Sequence, residues 1–139
     1  MTKITPFLMF QGNAEAAIHF YTTIIEDSSI KNVIRYGKDE AGEEGSVMQA
    51  VFTLKNQEFM CIDSNISHDF GFTPSFSIYV ECETEEQIDH YYQAFVSEGQ
   101  ELMALGDYSF SRKFGWIIDK YGVSWQFTLP FNERDRNNL

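Results

Sequence analysis

Six side chains in this sequence have polar or ionisable atoms inside otherwise apolar runs: Gln49, Cys61, Asp63, Ser75, Ser77 and Gln126. Amides and hydroxyls of this kind orient a small ligand by hydrogen bonding. A thiol, a carboxylate and an amide could also approach a divalent cation, which needs several donors converging at short range. Asp63 is in addition a candidate proton acceptor or cation partner. Flat contacts would come from Phe10, Phe59, Tyr79 and Trp116, and Ser124 adds one more hydroxyl. Other chemistries find little support. His19 and His90 lie on helical stretches away from the apolar stripe, which points to solvent, and His68 sits in a loop beside Asp69. No nucleophile elbow, phosphate-binding loop or G-x-G turn occurs. Cys61 has no basic neighbour in sequence, so it reads as a small buried hydrophobe rather than a nucleophile. Asp119 in "DKYG" reads as the residue that fixes its own turn. Arg112 and Lys113 read either as edge-strand charges or as cations at the rim of a ligand site.

The elements that would position these residues recur in the same order twice. "ITPFLMF" reads as a buried strand, and "QGN" as a turn in which Asn13 caps a helix. Ala14, Ala17, Ile18, Tyr21 and Ile25 then form one apolar stripe at helical spacing. "RYGKDEAGEEGS" reads as a mobile loop with ends that pair, and "VMQAVFTL" and "EFMCID" as a hairpin joined at "KNQ". After "SNISHDFGFTP" comes "SFSIYVE", an alternating strand. Thr84 and Gln87 make a capping box, and Ile88, Tyr91 and Phe95 a second buried stripe that Gly99 ends. Three more strands follow in "QELMALGDYSF", "RKFGWIID" and "VSWQFTL". A shift of 70 residues superposes the helices, and a shift of 65 lays "LKNQEFMCI" on "DKYGVSWQF", which pairs Cys61 with Gln126 and Val51 with Trp116. The expected architecture is α+β. Two pseudo-symmetric β-α-β-β-β modules, about 3–66 and about 72–131, form one domain over residues 1–139 with a polar tail at 132–139. Strand alternation places Ser75, Ser77 and Tyr79 on one face, Ser124, Gln126 and Thr128 on another, and Cys61 with Phe59 and Asp63.

"PFLMFQGNAEAAIHFY", "FTPSFSIYVECETEEQIDHYY" and "GWIIDKYGVSWQF" resemble the PhnB-like branch of the vicinal oxygen chelate (glyoxalase/bleomycin-resistance/dioxygenase) superfamily, over roughly residues 4 to 130. Members of this branch often have the label 3-demethylubiquinone-9 3-methyltransferase. The resemblance implies curved mixed sheets around a shared cavity, usually in a homodimer. It also implies, in metal-dependent members, four ligands from the first and last strands of each module. Those positions fall near Pro6, Cys61, Ser75 and Gln126. Proline has no side-chain donor and serine is a poor neutral ligand, so no metal site and no cofactor are expected. The methyltransferase label implies a methyl donor, for which no Gly-rich strand–helix turn is present.

The totals set outer bounds. An apolar share of 43% and an aromatic share of 16%, with 13 Phe and 7 Tyr, suffice for a substantial core. A net charge of −11 disfavours nucleic acid and anionic membrane as partners. Two cysteines, no signal-peptide pattern and no long apolar run lead us to expect a cytoplasmic protein. The expected function is binding of a small, partly aromatic metabolite. The alternatives are a metal-dependent isomerase, lyase or dioxygenase, a bleomycin-resistance-like drug-binding protein, and a methyltransferase.

Overall fold

The computed structural model describes residues 1–131; the polar tail expected at 132–139 lies outside the described residues. The chain forms two compact units, Met1–Asp69 and one that begins at Phe70. The first runs β1 (Phe7–Phe10), α1 (Ala14–Ile24), β2 (Ser28–Arg35), β3 (Val47–Leu54) and β4 (Gln57–Asp63). The second runs β5 (Ser77–Glu81), α2 (Glu85–Val96), β6 (Gln100–Tyr108), β7 (Ser111–Ile118) and β8 (Ser124–Leu129). The sheet orders, β1-β4-β3-β2 and β5-β8-β7-β6, are the same arrangement. In each, the first strand runs parallel to the last and the other pairs are antiparallel.

In each unit a helix covers one face of the sheet. Ala14, Ala17, Ile18, Tyr21 and Ile25 are buried in the first unit, and Ile88, Tyr91, Tyr92 and Phe95 in the second, as the stripes predict. Beneath α2 the rings pack at tilted angles: Phe95 lies 4.5 Å from Trp125 and 5.3 Å from Phe127. Such rings remove large apolar areas from water, about 1.5–3 kcal/mol for each side chain of this size.

Three local expectations change. Asn13 occupies the N-cap of α1 but makes no capping hydrogen bond; the cap comes from Asp63, at the end of β4. Gly99 does not end α2 by adopting left-handed backbone; Glu98 does, with φ 61°. The reason for glycine at 99 is space, since a Cβ there would lie 2.2 Å from the Ile118 carbonyl oxygen. "SSIKNVIR", unremarked in the sequence, is the edge strand β2, with register shifts on both sides of its centre. Two other local expectations hold. The loop after β2 closes through Tyr36 N–H to Ser46 O at 2.9 Å and Gly45 N–H to Tyr36 O at 2.8 Å. Thr84 Oγ1 accepts from Gln87 N–H at 3.1 Å.

Candidate functional site

Register decides which residues share a face, because a slip of one position sends every side chain of a strand to the other side. Leu8 lies ten residues before Ile18, and Ile78 lies ten before Ile88, so these strand positions correspond. Leu8 pairs with Cys61, and Ile78 pairs with Trp125. The structural partner of Cys61 is therefore Trp125, at a shift of 64, and the partner of Gln126 is Ile62. The pairing of Cys61 with Gln126 is off by one. Its source is the hairpins: Leu54 pairs with Gln57 across two residues, whereas Ile118 pairs with Ser124 across five.

The slip moves three of the residues singled out above, all on β4, and Phe10 on β1 shares their face. Phe10, Phe59, Cys61 and Asp63 are all buried and lie on the helix-covered face of the first sheet. Phe59 stacks on Phe52 with ring centroids 5.2 Å apart. Cys61 has no exposed surface. Burial, followed by the Asp63 charge, pushes its thiol up to about 12. It is the small buried hydrophobe that its sequence context suggests, not a ligand on the open face. Asp63 is 4% exposed and latches the unit together. Its Oδ1 accepts from Gly12 N–H and Ala14 N–H, both at 2.9 Å, and its Oδ2 from Val47 N–H at 3.0 Å. It also borders a hollow of about 210 Å³ with Gln11, Glu43 and Ser46 among its neighbours.

On the open face of the first sheet the counterparts are apolar. Phe7, Met60 and Ile62 occupy the places that Ser77, Ser124 and Gln126 hold in the second unit. Gln49, the counterpart of Trp116, is the polar exception, and its amide donates to the Met60 sulfur at 3.3 Å.

The second unit gathers the remaining candidates. Ser77, Tyr79, Ser124, Gln126 and Trp116 sit on the face of β5, β8 and β7 away from α2. Tyr79 and Trp116 flank Gln126 in the ladder from either side. Trp116 Nε1–H donates to Ser124 Oγ at 2.8 Å, the Ser124 and Ser77 hydroxyls are 2.6 Å apart, and Gln126 Nε2–H donates to Ser77 Oγ at 3.3 Å. Ser124 is 1% exposed, Ser77, Trp116 and Gln126 are partly exposed, and Tyr79 is 55% exposed. This hydrogen-bonded seam between aromatic side chains can orient a flat ligand. Ser75 does not join it: it precedes β5, is exposed, and shares a hydrogen bond with Thr73 at 2.7 Å.

Other polar groups of the unit are engaged elsewhere. Asp119 fixes its turn as expected, its Oδ1 accepting from Tyr121 N–H at 2.8 Å and Val123 N–H at 3.1 Å. Its Oδ2 accepts from Trp125 Nε1–H at 2.8 Å. Lys113 pairs with Asp89 of α2 at 2.5 Å, and Arg112 with Glu85 at 3.8 Å. Arg112 also borders a hollow of about 400 Å³ with Glu81, Cys82, Glu83 and Leu129, apart from the other sequence-derived candidates. His19 and His90 are exposed, and His68 Nε2 lies 2.9 Å from Ser64 Oγ.

A glyoxalase-type cation does not fit these residues. Of the four implied positions, Pro6 has no side-chain donor, Cys61 is turned under α1, and Ser75 lies outside the strand, leaving Gln126 alone. Among the described residues no group of three or more His, Cys, Asp or Glu is placed to hold a metal. A methyl-donor nucleotide fares no better at the helix N-termini. At α1 the Gly12 and Ala14 N–H groups already bind Asp63, and α2 begins with Glu85 and Glu86.

Comparison with known proteins gives a consistent result. A family model described as 3-demethylubiquinone-9 3-methyltransferase matches residues 2–128. The chain is similar to the PhnB protein from Bacillus cereus, which has the same methyltransferase label. Identity is 55%, coverage 92% of this chain and 99% of that one, and the TM-score 0.90. A glyoxylase/bleomycin resistance protein/dioxygenase domain from Frankia sp. EAN1pec shares the fold at 10% identity. Its TM-score is 0.65, with 94% and 99% of the two chains covered. So does a mutant of the fosfomycin resistance protein FosX from Listeria monocytogenes, complexed with Mn(II) and 1S,2S-dihydroxypropylphosphonic acid. It is 8% identical over 99% and 98% of the chains, with a TM-score of 0.61. No curated protein matches.

Proposed function

We infer the function from a family membership: the chain belongs to the 3-demethylubiquinone-9 3-methyltransferase family, the PhnB-like branch of the glyoxalase/bleomycin-resistance/dioxygenase superfamily. We propose that it binds a small, partly aromatic metabolite on the open face of its second sheet, without a glyoxalase-type metal. The observation that carries this reading is the Trp116–Ser124–Ser77–Gln126 seam. Polar groups half-sunk in an apolar sheet cost free energy unless they are satisfied, and here they are satisfied by one another while Ser77, Trp116 and Gln126 stay partly exposed. The test is tryptophan fluorescence. Trp125 is buried beneath α2 and tied to Asp119, so a ligand on the open face is sensed by Trp116. Titration with a panel of small aromatic compounds should change the emission saturably, and Trp116→Phe should remove the change. Quenching that survives in Trp116→Phe would refute this placement.

A second reading takes FosX as its guide: a cation in the site, activating a chelating substrate oxygen. Elemental analysis of protein purified without chelator separates the two, since stoichiometric metal touching Gln126 would favour the second. Bleomycin-type drug capture predicts tight, steeply salt-dependent binding of a bulky cationic aromatic compound. The methyltransferase reading predicts heat on titration with the methyl donor. We also propose a cytoplasmic homodimer; sedimentation at micromolar concentration checks the dimer. No described helix is long and apolar enough to cross a membrane.

A further inference from the structure

The hydrogen-bond directions in the seam follow from counting hydrogens. Trp116 brings one N–H, each serine one O–H, and Gln126 two N–H, which makes five hydrogens. Three internal bonds use three of them. Ser124 is the buried member, and its hydroxyl oxygen receives the Trp116 indole N–H. The acceptor available to its own hydrogen among the described residues is Ser77 Oγ, 2.6 Å away. The donation therefore runs in one direction, from Trp116 to Ser124 to Ser77.

Ser77 then has its own hydrogen to give away. With Gln126 Nε2 turned toward it, that hydrogen points off the sheet beside the second amide N–H. If the amide is turned over, Ser77 donates to Oε1 and both amide hydrogens point outward. Either way two donor hydrogens emerge, one each from Ser77 and Gln126 when Nε2 faces Ser77 and both from Gln126 when Oε1 does, and each bond behind them strengthens the next by polarisation. Among the described residues of the second unit, the cations Arg112, Lys113 and Lys120 face Glu85, Asp89 and Glu98, so none of these three is directed at the fork. An anionic oxygen here would be desolvated without compensation, whereas a neutral carbonyl oxygen needs only the two donors.

We propose that Ser77 and Gln126 form a two-donor fork that selects a neutral carbonyl oxygen on a flat ligand lying against Trp116. The inference rests on the binding reading above and adds the chemical class of the ligand. Coumarin, which has a neutral carbonyl, naphthalene, which has no acceptor, and 2-naphthoate, which is anionic, form a matched set of probes. Each is titrated into ¹⁵N-labelled protein while the Trp116 indole N–H and the Gln126 side-chain amide resonances are followed. Coumarin should bind about ten times more tightly than naphthalene and more tightly than 2-naphthoate. Ser77→Ala should lower its affinity to that of naphthalene while leaving naphthalene unchanged, which makes naphthalene an internal control for folding. Should that variant fail to fold, the wild-type ranking still decides. Equal affinities for coumarin and naphthalene would overturn the fork and leave the binding reading standing. Tightest binding of 2-naphthoate would overturn its neutrality. No saturable shift with any probe would overturn the fork and the binding reading together.

Discussion

Cys61 and Cys82 are both buried, and desolvation pushes both thiols up to about 12. An acid whose folded pKa is raised loses stability once the unfolded chain alone can ionise. The thiol contribution is therefore complete below about pH 9 and falls as pH rises toward 12, by at most about 1.4 kcal/mol per pH unit per thiol. Urea midpoints should decline across that window, and less so in Cys61→Ala. At pH 8 neither thiol should react with a disulfide reagent until the protein unfolds; rapid labelling of native Cys61 would contradict its position beneath α1. Asp63 supports the other residue-scale prediction. Its carboxylate satisfies three backbone N–H groups, so Asp63→Ala should cost about 3 kcal/mol in urea unfolding, and Asp63→Asn, which keeps one acceptor oxygen, less. Asp119 was legible in the sequence because it serves its own turn. Asp63 was not, because its partners at Gly12 and Ala14 stand 51 and 49 positions away, and no local pattern reports a cap from so far.

The helices and the Thr84 cap of α2 could be read from local spacing, since it is set by local geometry, whereas the caps assigned to Asn13 and Gly99 could not. Nor could faces, because face assignment in β4 depends on hairpin length. With two residues in one hairpin against five in the other, β3 and β7 correspond at a shift of 67 and β4 and β8 at 64, so no single shift aligns both pairs. The edge strand β2 escaped notice for a different reason. Lys31, Asn32 and Arg35 give it the polar look that edges use to avoid pairing with other chains. Two glycines show how tightly the second unit is assembled. A Cβ at Gly115 would lie 2.5 Å from the buried Tyr92 ring, and one at Gly99 would meet the backbone of Ile118, the less yielding of the two. Gly115→Ala should destabilise by about 1–3 kcal/mol, and Gly99→Ala by more, measured by thermal unfolding. Glu98→Gly, which relieves a left-handed residue, should be neutral or mildly stabilising.

The molecule repeats one topology twice and puts its polar seam in only one of the copies. Phe7, Met60 and Ile62 make the open face of the first sheet an apolar surface, while Ser77, Ser124 and Gln126 give the second a chemical direction. The family and fold were legible because "GNAE" sits at the turn into α1, "FY" inside α1 and "SWQ" at the start of β8, in the same order as in the family. This asymmetry was hidden by the one-residue slip. The net charge of −11 bears on solubility and partner charge, so ligand affinity for a neutral compound should be insensitive to salt. One titration tests the central claim: coumarin added to ¹⁵N-labelled protein that has been treated with a chelator. The largest shifts should fall on Ser77, Tyr79, Trp116 and Gln126, and should be unchanged when Mn(II) is restored. Shifts that appear only with Mn(II), or that centre on residues of the first unit, would contradict it.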